Sequence, residues 1–353
     1  MSIDHNLITP ILSIDDPLLT CDIVGSGDRY AFRVNQDTLI SANTKDYILA
    51  YRRKLFETRG LAVPADHDLS WRKDRAPLWT MDDLEDKATD LYLWVKFDEL
   101  GLSDETSIST ITDAGPQAHV LTAGNGITYN AGAINGLGVA NMTADDDYFS
   151  IPDAASLDFG TGKIEMHCVF KTASDYETTW AGLMDLRYFA DKKDTSGSYP
   201  RYSWKMQYRS SRGAITIKPT FTRMESSTTI DKQGNNTTLS NSTTYLSSVI
   251  QVDNTFDFYH NGSANGTPSG DNILDPDSDG ILYIGNSDAK NSSIRGQLAE
   301  IVMIDHEFGS VAPQDAIREK IEGYLAHKWG LEGSLPSSHT YKTDPPRRDS
   351  VFA

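Results

Sequence analysis

A chain of 353 residues, 39% of them apolar, can bury a sizeable core and favours a two-part arrangement. A formal charge of −18 argues against DNA or RNA as a partner, because phosphate binding needs clustered Lys and Arg. The absence of a long uncharged apolar run argues against a transmembrane helix, and two cysteines, Cys21 and Cys168, lie outside any zinc or disulfide spacing.

The N-terminus, MSIDHNLITPILSIDD, carries acids where a signal peptide needs a basic start, so secretion by that route is not expected. LITPILSI and LLTCDIV are short apolar runs broken by Pro10, Pro17 and Gly25, the pattern of extended arms or edge strands. An extended apolar segment can add a strand to a neighbour's sheet edge, which makes Leu7, Ile8, Ile11 and Leu12 candidate anchoring residues. TLISANTKDYILAYRRKLFETRGL reads as a helix, with Ser41, Asn43 or Thr44 to cap it. Tyr47, Ile48, Tyr51, Leu55 and Phe56 fall at helical spacing, and Gly60 stands where it should stop. Residues 62–80, with Pro64 and Pro77, read as a linker. Charge is uneven: residues 45–75 hold eight Lys/Arg against five acids, and 82–113 hold ten acids against Lys87 and Lys96. A solvated helix face beside a solvated loop accounts for this, and a docking face for an acidic protein surface is the alternative.

From about residue 80 the pattern is that of an antiparallel sandwich. Leu91, Leu93, Val95 and Phe97 alternate with Tyr92, Trp94 and Lys96, and GKIEMHCVFKTA sets Ile164, Met166, Cys168 and Phe170 against Glu165, His167, Val169 and Lys171. YSWKMQYR and GAITIKPTF follow. TTYLSSVIQVDNTFDFYHNGSANG carries Asn261-Gly262 at a hairpin tip, the pair favoured where both turn positions need positive φ. GILYIGNS and GQLAEIVMIDHEF supply two further strands. A closing helix is expected over 313–329: Pro313 suits its first turn, Ile317, Ile321, Tyr324, Leu325 and Trp329 form its apolar stripe, and Gly330 ends it. A helix of that length is marginal alone, so the stripe must pack on the sandwich.

The segment IREKIEGYLAHKWGLEGSLPSSHTYK, residues 317–342, resembles the end of concanavalin A-like (laminin-G-like) jelly-roll domains. Such modules occur in virion proteins of tailed bacteriophages, especially marine ones, and in some large bacterial surface proteins. APLWTMDDLEDKATDLYLWVKFDE resembles their opening, although Lys96 replaces the family's Asp after the strand tryptophan. Asp113-Ala-Gly-Pro matches their turn, and Asp146-Asp147-Tyr148 with Ile151-Pro152 matches their D-D-Y-L-x-I-P segment. The likeness covers about 80–345. It implies a mainly β, antiparallel concanavalin A-like sandwich (81–345) closed by a C-terminal helix, after an N-terminal arm and short helical anchoring domain (1–80), with 346–353 as a tail.

Little in the sequence announces chemistry. The fold hosts both glycosidases and lectins, but no E-x-D-x-x-E run is present, Glu165 stands alone in its strand, and Glu300 and Asp305 fall on opposite strand faces. No G-x-S-x-G and no Ser/His/Asp set stands out. His260 and His327 read as hairpin and helix-surface side chains, and Cys168 as a buried strand residue. Asp275, Asp277 and Asp279 followed by Gly280 reproduce the first half of a calcium loop, but position twelve is Asn286 and not Glu; the alternative is an acidic turn. Asp145–Asp147 form a second acidic cluster, a candidate for metal binding; the alternative is a side chain that ties the loop to backbone amides. Aromatics crowd residues 176–208; Trp180, Tyr199 and Tyr202 are candidate contacts for a protein partner or a glycan, against core or oligomer packing.

The expectation is a non-enzymatic virion structural protein, made in the host cytoplasm and anchored by its N-terminal segment. Capsid decoration or cement, or an adaptor, is the leading role, with other virion proteins as partners and a homo-oligomer, such as a trimer, as its form. A tail, fibre or surface protein whose jelly roll binds host glycans is the alternative.

Overall fold

A computed structural model describes residues 19–22, 31–34, 78–84, 87–157, 164–174, 186–194, 201–210, 216–225, 228–252, 255–268, 280–286, 293–305 and 314–348. The chain divides into two compact units, Met1–Trp79 with Arg347–Ala353, and Thr80–Pro346. In the first unit β1 (Leu19–Asp22), within LLTCDIV, pairs antiparallel with β2 (Ala31–Val34), Leu19 opposite Val34. The helix expected in 39–60 and the anchoring residues Leu7, Ile8, Ile11 and Leu12 lie outside the described residues.

The second unit opens with a 3-10 turn, Met81–Asp83, held by a capping box between Thr80 and Asp83. A short helix, α1 (Lys87–Asp90), then leads into β3 (Leu91–Lys96). Next come β4 (Thr110–Thr112), β5 (Val120–Gly124), β6 (Thr128–Ile134), β7 (Leu137–Met142) and β8 (Tyr148–Ile151). The long middle strands are β9 (Ile164–Thr172), β10 (Leu186–Asp194), β11 (Arg201–Ser210), β12 (Thr216–Glu225) and β13 (Thr228–Gln233). After the short β14 (Thr237–Thr238) run β15 (Thr244–Val252), β16 (Thr255–His260), β17 (Ser263–Ala264), β18 (Ile281–Ile284) and β19 (Gly296–Asp305). The closing helix is α2 (Gln314–Trp329).

These strands form two antiparallel sheets. One has the order β13-β12-β11-β10-β18-β8-β5-β4, with β14 beside β12; the other has the order β17-β16-β15-β9-β19-β7-β6, with β3 beside β19. Strands distant in sequence lie side by side, as β18 does between β8 and β10, so the chain crosses repeatedly from sheet to sheet. This is the expected mainly β sandwich with a C-terminal helix.

The core between the sheets is built from the alternating apolar positions. Ile164, Met166, Cys168 and Phe170 of β9 join Leu93, Val95, Val249, Phe258, Ile301 and Met303 from the same sheet. Ile111, Leu121, Phe149, Ile151, Met206, Leu282 and Ile284 come from the facing one. Phe97 and Phe149 meet across it with ring centroids 5.4 Å apart. Each fully buried side chain of this size contributes about 1.5–3 kcal/mol relative to leaving it in water. At the predicted hairpin tip Asn261 and Gly262 both have positive φ, 49° and 72°, as a type I′ turn requires.

The alternation in β9 leaves open whether the face carrying Glu165 and His167 meets water, and both prove fully buried. The reason is α2, which lies over the outer face of this sheet and is pinned to it at Ser248 and Glu300. Its buried side holds Ile321, Leu325, Ala326 and Trp329, but also Arg318 and Glu322. Gly330, at φ 72°, stops the helix, and Leu331 N–H closes on the Ala326 carbonyl at 2.7 Å. The chain beyond packs back on the helix. A Cβ at Gly323 would fall 2.5 Å from Tyr341 Cβ, and one at Gly262 would meet Leu335 at 2.8 Å and His339 at 3.1 Å. The tail therefore bridges α2 and the hairpin tip.

Candidate functional site

The ionisable groups most able to do chemistry sit beneath α2, in two clusters. The first is centred on Glu300 of β19, which is 0% exposed. Trp94 Nε1 donates to its Oε1 at 2.6 Å and Trp329 Nε1 to its Oε2 at 2.8 Å. Tyr324 donates its hydroxyl to Oε1 at 3.2 Å, and Lys328 Nζ lies 2.8 Å from Oε2 and 2.9 Å from Asp98 Oδ1. Burial pulls the Lys328 pKa down, but Glu300 and Asp98 outweigh it and the net shift is upward. Burial, then the same carboxylates, push the Tyr324 phenol far up. Lys328 is held as a cation and Tyr324 as a neutral phenol, which suits a rivet and not a proton shuttle.

The second cluster is a row of four side chains. Glu165 Oε1 lies 2.6 Å from His167 Nε2, His167 Nδ1 lies 2.8 Å from Ser248 Oγ, and Ser248 donates to Glu322 Oε1 at 3.0 Å. Sequence reading left Glu165 alone; its partner two positions on, His167, shares the buried face of β9. The arrangement looks like a Ser-His-Glu relay, but its hydrogens argue otherwise. Ser248 spends its single hydrogen on Glu322, so its oxygen accepts from His167 and is not primed for attack. All four side chains are fully buried. Arg318 closes the row by an ion pair to Glu322 and lies over the Tyr259 ring at 4.1 Å, while His339 Nε2 is 3.4 Å from Glu322 Oε2. Helix, sheet and tail thus share one carboxylate.

A smaller polar group belongs to the other sheet. Lys192 of β10 is fully buried with Nζ 3.3 Å from Asp153 Oδ1, and His119 Nε2 is 3.0 Å from Ser156 Oγ. Burial lowers the His119 pKa, Asp113 opposes this, and Lys192 adds to it. Asp113 does not orient the imidazole: its carboxylate accepts from the backbone N–H groups of Trp94, Gly115 and His119, locking the turn that the sequence flagged. Burial raises its pKa despite those bonds.

The outer face of the β4–β5–β8–β18 region is different in kind. Val120 and Ile281 are 52% and 37% exposed, and Thr122, Ser150 and Tyr283 stand in register across β5, β8 and β18. Tyr148 and Tyr283 meet edge to face, with centroids 5.5 Å apart and planes at 69°. A Cβ at Gly124 would fall 2.0, 2.2 and 2.5 Å from Cζ, Cε1 and Cε2 of Tyr148. That near-equality places the glycine under the flat of the ring. Beside it Asn125 Nδ2 donates to Asp146 Oδ1 at 2.7 Å, both residues being exposed.

The acidic triplet therefore divides by role. Asp147 turns inward and accepts from Ala144 N–H at 2.8 Å, with burial raising its pKa. Asp145 lies 3.9 Å from Arg295, and Asp146 faces outward. Among the described residues no group of three His, Cys, Asp or Glu is placed to hold a metal ion. Asp275, Asp277 and Asp279 lie outside the described residues, but Asn286, the twelfth position of that loop, gives its amide to the Asp145 and Asp147 carbonyls at 2.8 and 2.9 Å. Trp180 and Tyr199 also lie outside; Tyr202 is described as backbone, on β11 opposite Lys193. His260 packs on Tyr245 at 4.9 Å and burial lowers its pKa to about 4, while His327 Nε2 meets the Tyr341 carbonyl at 2.8 Å. Cys168 is buried, and burial raises its thiol pKa well above the usual range. No helix among the described residues is long and apolar enough to cross a membrane.

No family model and no curated protein matches the chain. Among solved structures it is similar to the botulinum neurotoxin serotype G binding domain, with 11% identity over 64% of this chain and 49% of that one (TM-score 0.41). It is similar to domain 4 of AbnA, a GH43 extracellular arabinanase from Geobacillus stearothermophilus in complex with arabinotriose (13% identity, 61% and 92% covered, TM-score 0.40). Trypanosoma rangeli sialidase in complex with sialic acid is a third (12%, 64% and 32%, TM-score 0.43). The chain spans about half the length of the neurotoxin chain and about a third of the sialidase. At such identities the likeness is one of fold and carries no ligand with it.

Proposed function

We propose that the protein is a non-catalytic contact module of a tailed-phage particle, anchored through its N-terminal segment and displaying the sandwich. The phage assignment rests on the sequence resemblance of residues 80–345. The non-catalytic part rests on one structural observation: Glu165, His167, Ser248, Glu300 and Glu322 are fully buried, where their hydrogen bonds fasten α2 to the sheet. Charge buried in this way fixes one geometry at the cost of reactivity, which is what a spacer between partners needs.

Imaging of the intact particle tests it. Density for this chain in on the order of hundreds of copies would support capsid decoration, and roughly six to eighteen copies a tail position, as icosahedral and tail symmetries lead one to expect. Deleting residues 1–40 should abolish incorporation and leave the sandwich folded. Particles that lack the chain, or that incorporate the truncated form as well as the full one, would overturn the proposal.

A second reading has its own observation. The outward-lying Tyr148 ring and the hydroxyl-bearing row beside it are suited to binding a glycan, so the same module could contact a host surface. Binding of the isolated protein to immobilised glycans tests this reading directly.

A further inference from the structure

We infer that Tyr148 is the stacking platform of a site for an uncharged sugar ring, with the Asn125–Asp146 pair as its hydrogen-bonding rim; this rests on the glycan reading just given. A sugar is recognised by two features together: a flat aromatic surface for its C–H face, and adjacent planar polar groups for its hydroxyls. The structure brings both to one place. The glycine at 124 leaves room for the Tyr148 ring to lie flat on the backbone, and the ring belongs to the outward side of β8, where Tyr148 is half-buried. Tyr283 meets that ring at 69°, so it braces the platform's orientation and does not cover it in parallel.

The rim follows from the neighbouring residues in sequence. Asn125 directly follows Gly124, and Asp146 precedes Tyr148 by two, so the turn between β5 and β6 and the turn before β8 deliver an amide and a carboxylate to the ring's edge. The amide has a second hydrogen to give and the carboxylate further lone pairs to accept with, the complementary pair a vicinal diol uses. Thr122 and Ser150 extend the polar surface along the register.

The charge of the ligand follows from the surroundings. Thr122, Tyr148, Ser150, Tyr283, Val120 and Ile281 carry no charge, Asp191 and Lys193 in register with Tyr283 and Ile281 offset one another, as do Asp145 and Arg295, and the Asp146 carboxylate leaves the rim negative, as the whole chain is at −18. A sialic or uronic acid would be repelled, and an uncharged hexose or hexosamine unit would not. The same negative charge disfavours a second copy of the chain on this face.

The test is an array of neutral oligosaccharides alongside their sialylated and uronic-acid counterparts, followed by titration of the tightest neutral oligosaccharide. Wild type should bind neutral glycans and ignore the acidic ones. Tyr148→Ala should weaken binding about tenfold, or about 1.4 kcal/mol at 25 °C, whereas Tyr148→Phe should bind as wild type. Gly124→Ala keeps the ring but lifts it from the sheet and should also lose affinity, with a cooperative thermal transition showing that the protein is folded. Asp146→Asn should relax the exclusion of acidic glycans. Absence of any glycan binding by wild type would overturn both the glycan reading and this site. Binding that survives Tyr148→Ala and Gly124→Ala, or that is lost with Trp180→Ala or Tyr202→Ala instead, would overturn the site alone. So would preference for acidic glycans, or self-association abolished by Tyr148→Ala.

Discussion

Trp94 and Trp329 donate their indole N–H groups to the two different oxygens of one carboxylate, Glu300, at 2.6 and 2.8 Å. One tryptophan belongs to the first strand of the sandwich and the other to the last turn of its closing helix, so a single side chain in β19 ties the two ends of the domain together.

That tie makes Glu300 the residue whose loss should cost most. Glu300→Ala removes the acceptor of two buried indoles and one of the two carboxylates on Lys328, and a buried donor left without its acceptor costs about 1–3 kcal/mol. Urea unfolding should show a lower midpoint corresponding to a loss of that size per stranded donor in unfolding free energy, with Glu300→Gln falling between the variant and wild type. An unchanged midpoint would mean that α2 is held by its apolar stripe alone.

Ser248 should behave as a structural hydroxyl. A fluorophosphonate probe for activated serines should leave the native protein unlabelled, because the hydroxyl is buried and given to Glu322. Ser248→Ala should lower stability by about 1–3 kcal/mol by stranding His167 and Glu322. Stoichiometric labelling of native protein, lost in Ser248→Ala, would restore a catalytic reading.

The acid side of the stability profile should carry the mark of His260. Its pKa falls from 6.5 in the unfolded chain to about 4 in the fold. The unfolded state therefore binds the proton first, and the stability due to neutral burial is present above about pH 6.5 and lost as pH falls towards 4. The loss has a ceiling of about 3 kcal/mol. His119, also lowered by burial, acts in the same direction. Asp113 and Asp147, whose pKa values are raised, act oppositely: their contribution is present below the ordinary carboxyl range and fades as pH rises. His260→Gln should flatten the slope between pH 6.5 and 4 in thermal melts, and an unaltered slope would contradict this assignment.

The tail should act as a strap whose seat is Gly323. Gly323→Ala forces Tyr341 off the helix, since the added carbon would stand 2.5 Å from its Cβ. Overpacking of this kind costs about 1–3 kcal/mol. Residues 331–342 should then be cut by trypsin at Lys342 faster than in wild type, with the sandwich itself intact. Equal cleavage of both proteins would show that the tail finds another seat.

Periodicity was enough to place β3, β9, β11, β12, β15, β16, β18 and β19, but not β4–β7, β10 or β13. Ile164, Met166, Cys168 and Phe170 had to face a core because period-two alternation leaves apolar side chains no other way out of water, and Asn261-Gly262 had to turn because both positions take positive φ. The closing helix, its stripe and its Gly330 stop were legible for the same local reasons. What the outer faces do was not. Whether Glu165 and His167 meet water depends on whether α2, more than a hundred residues later in the chain, packs over them, and no local pattern records that. Likewise nothing in Asp146-Asp147-Tyr148 tells which acid turns inward to cap the loop, or that the tyrosine will lie on a glycine of another strand. Alternation and turn chemistry act over a few residues and fix the elements; the burial of charge and the exposure of an aromatic ring are set by which faces the packed sheets and helix cover.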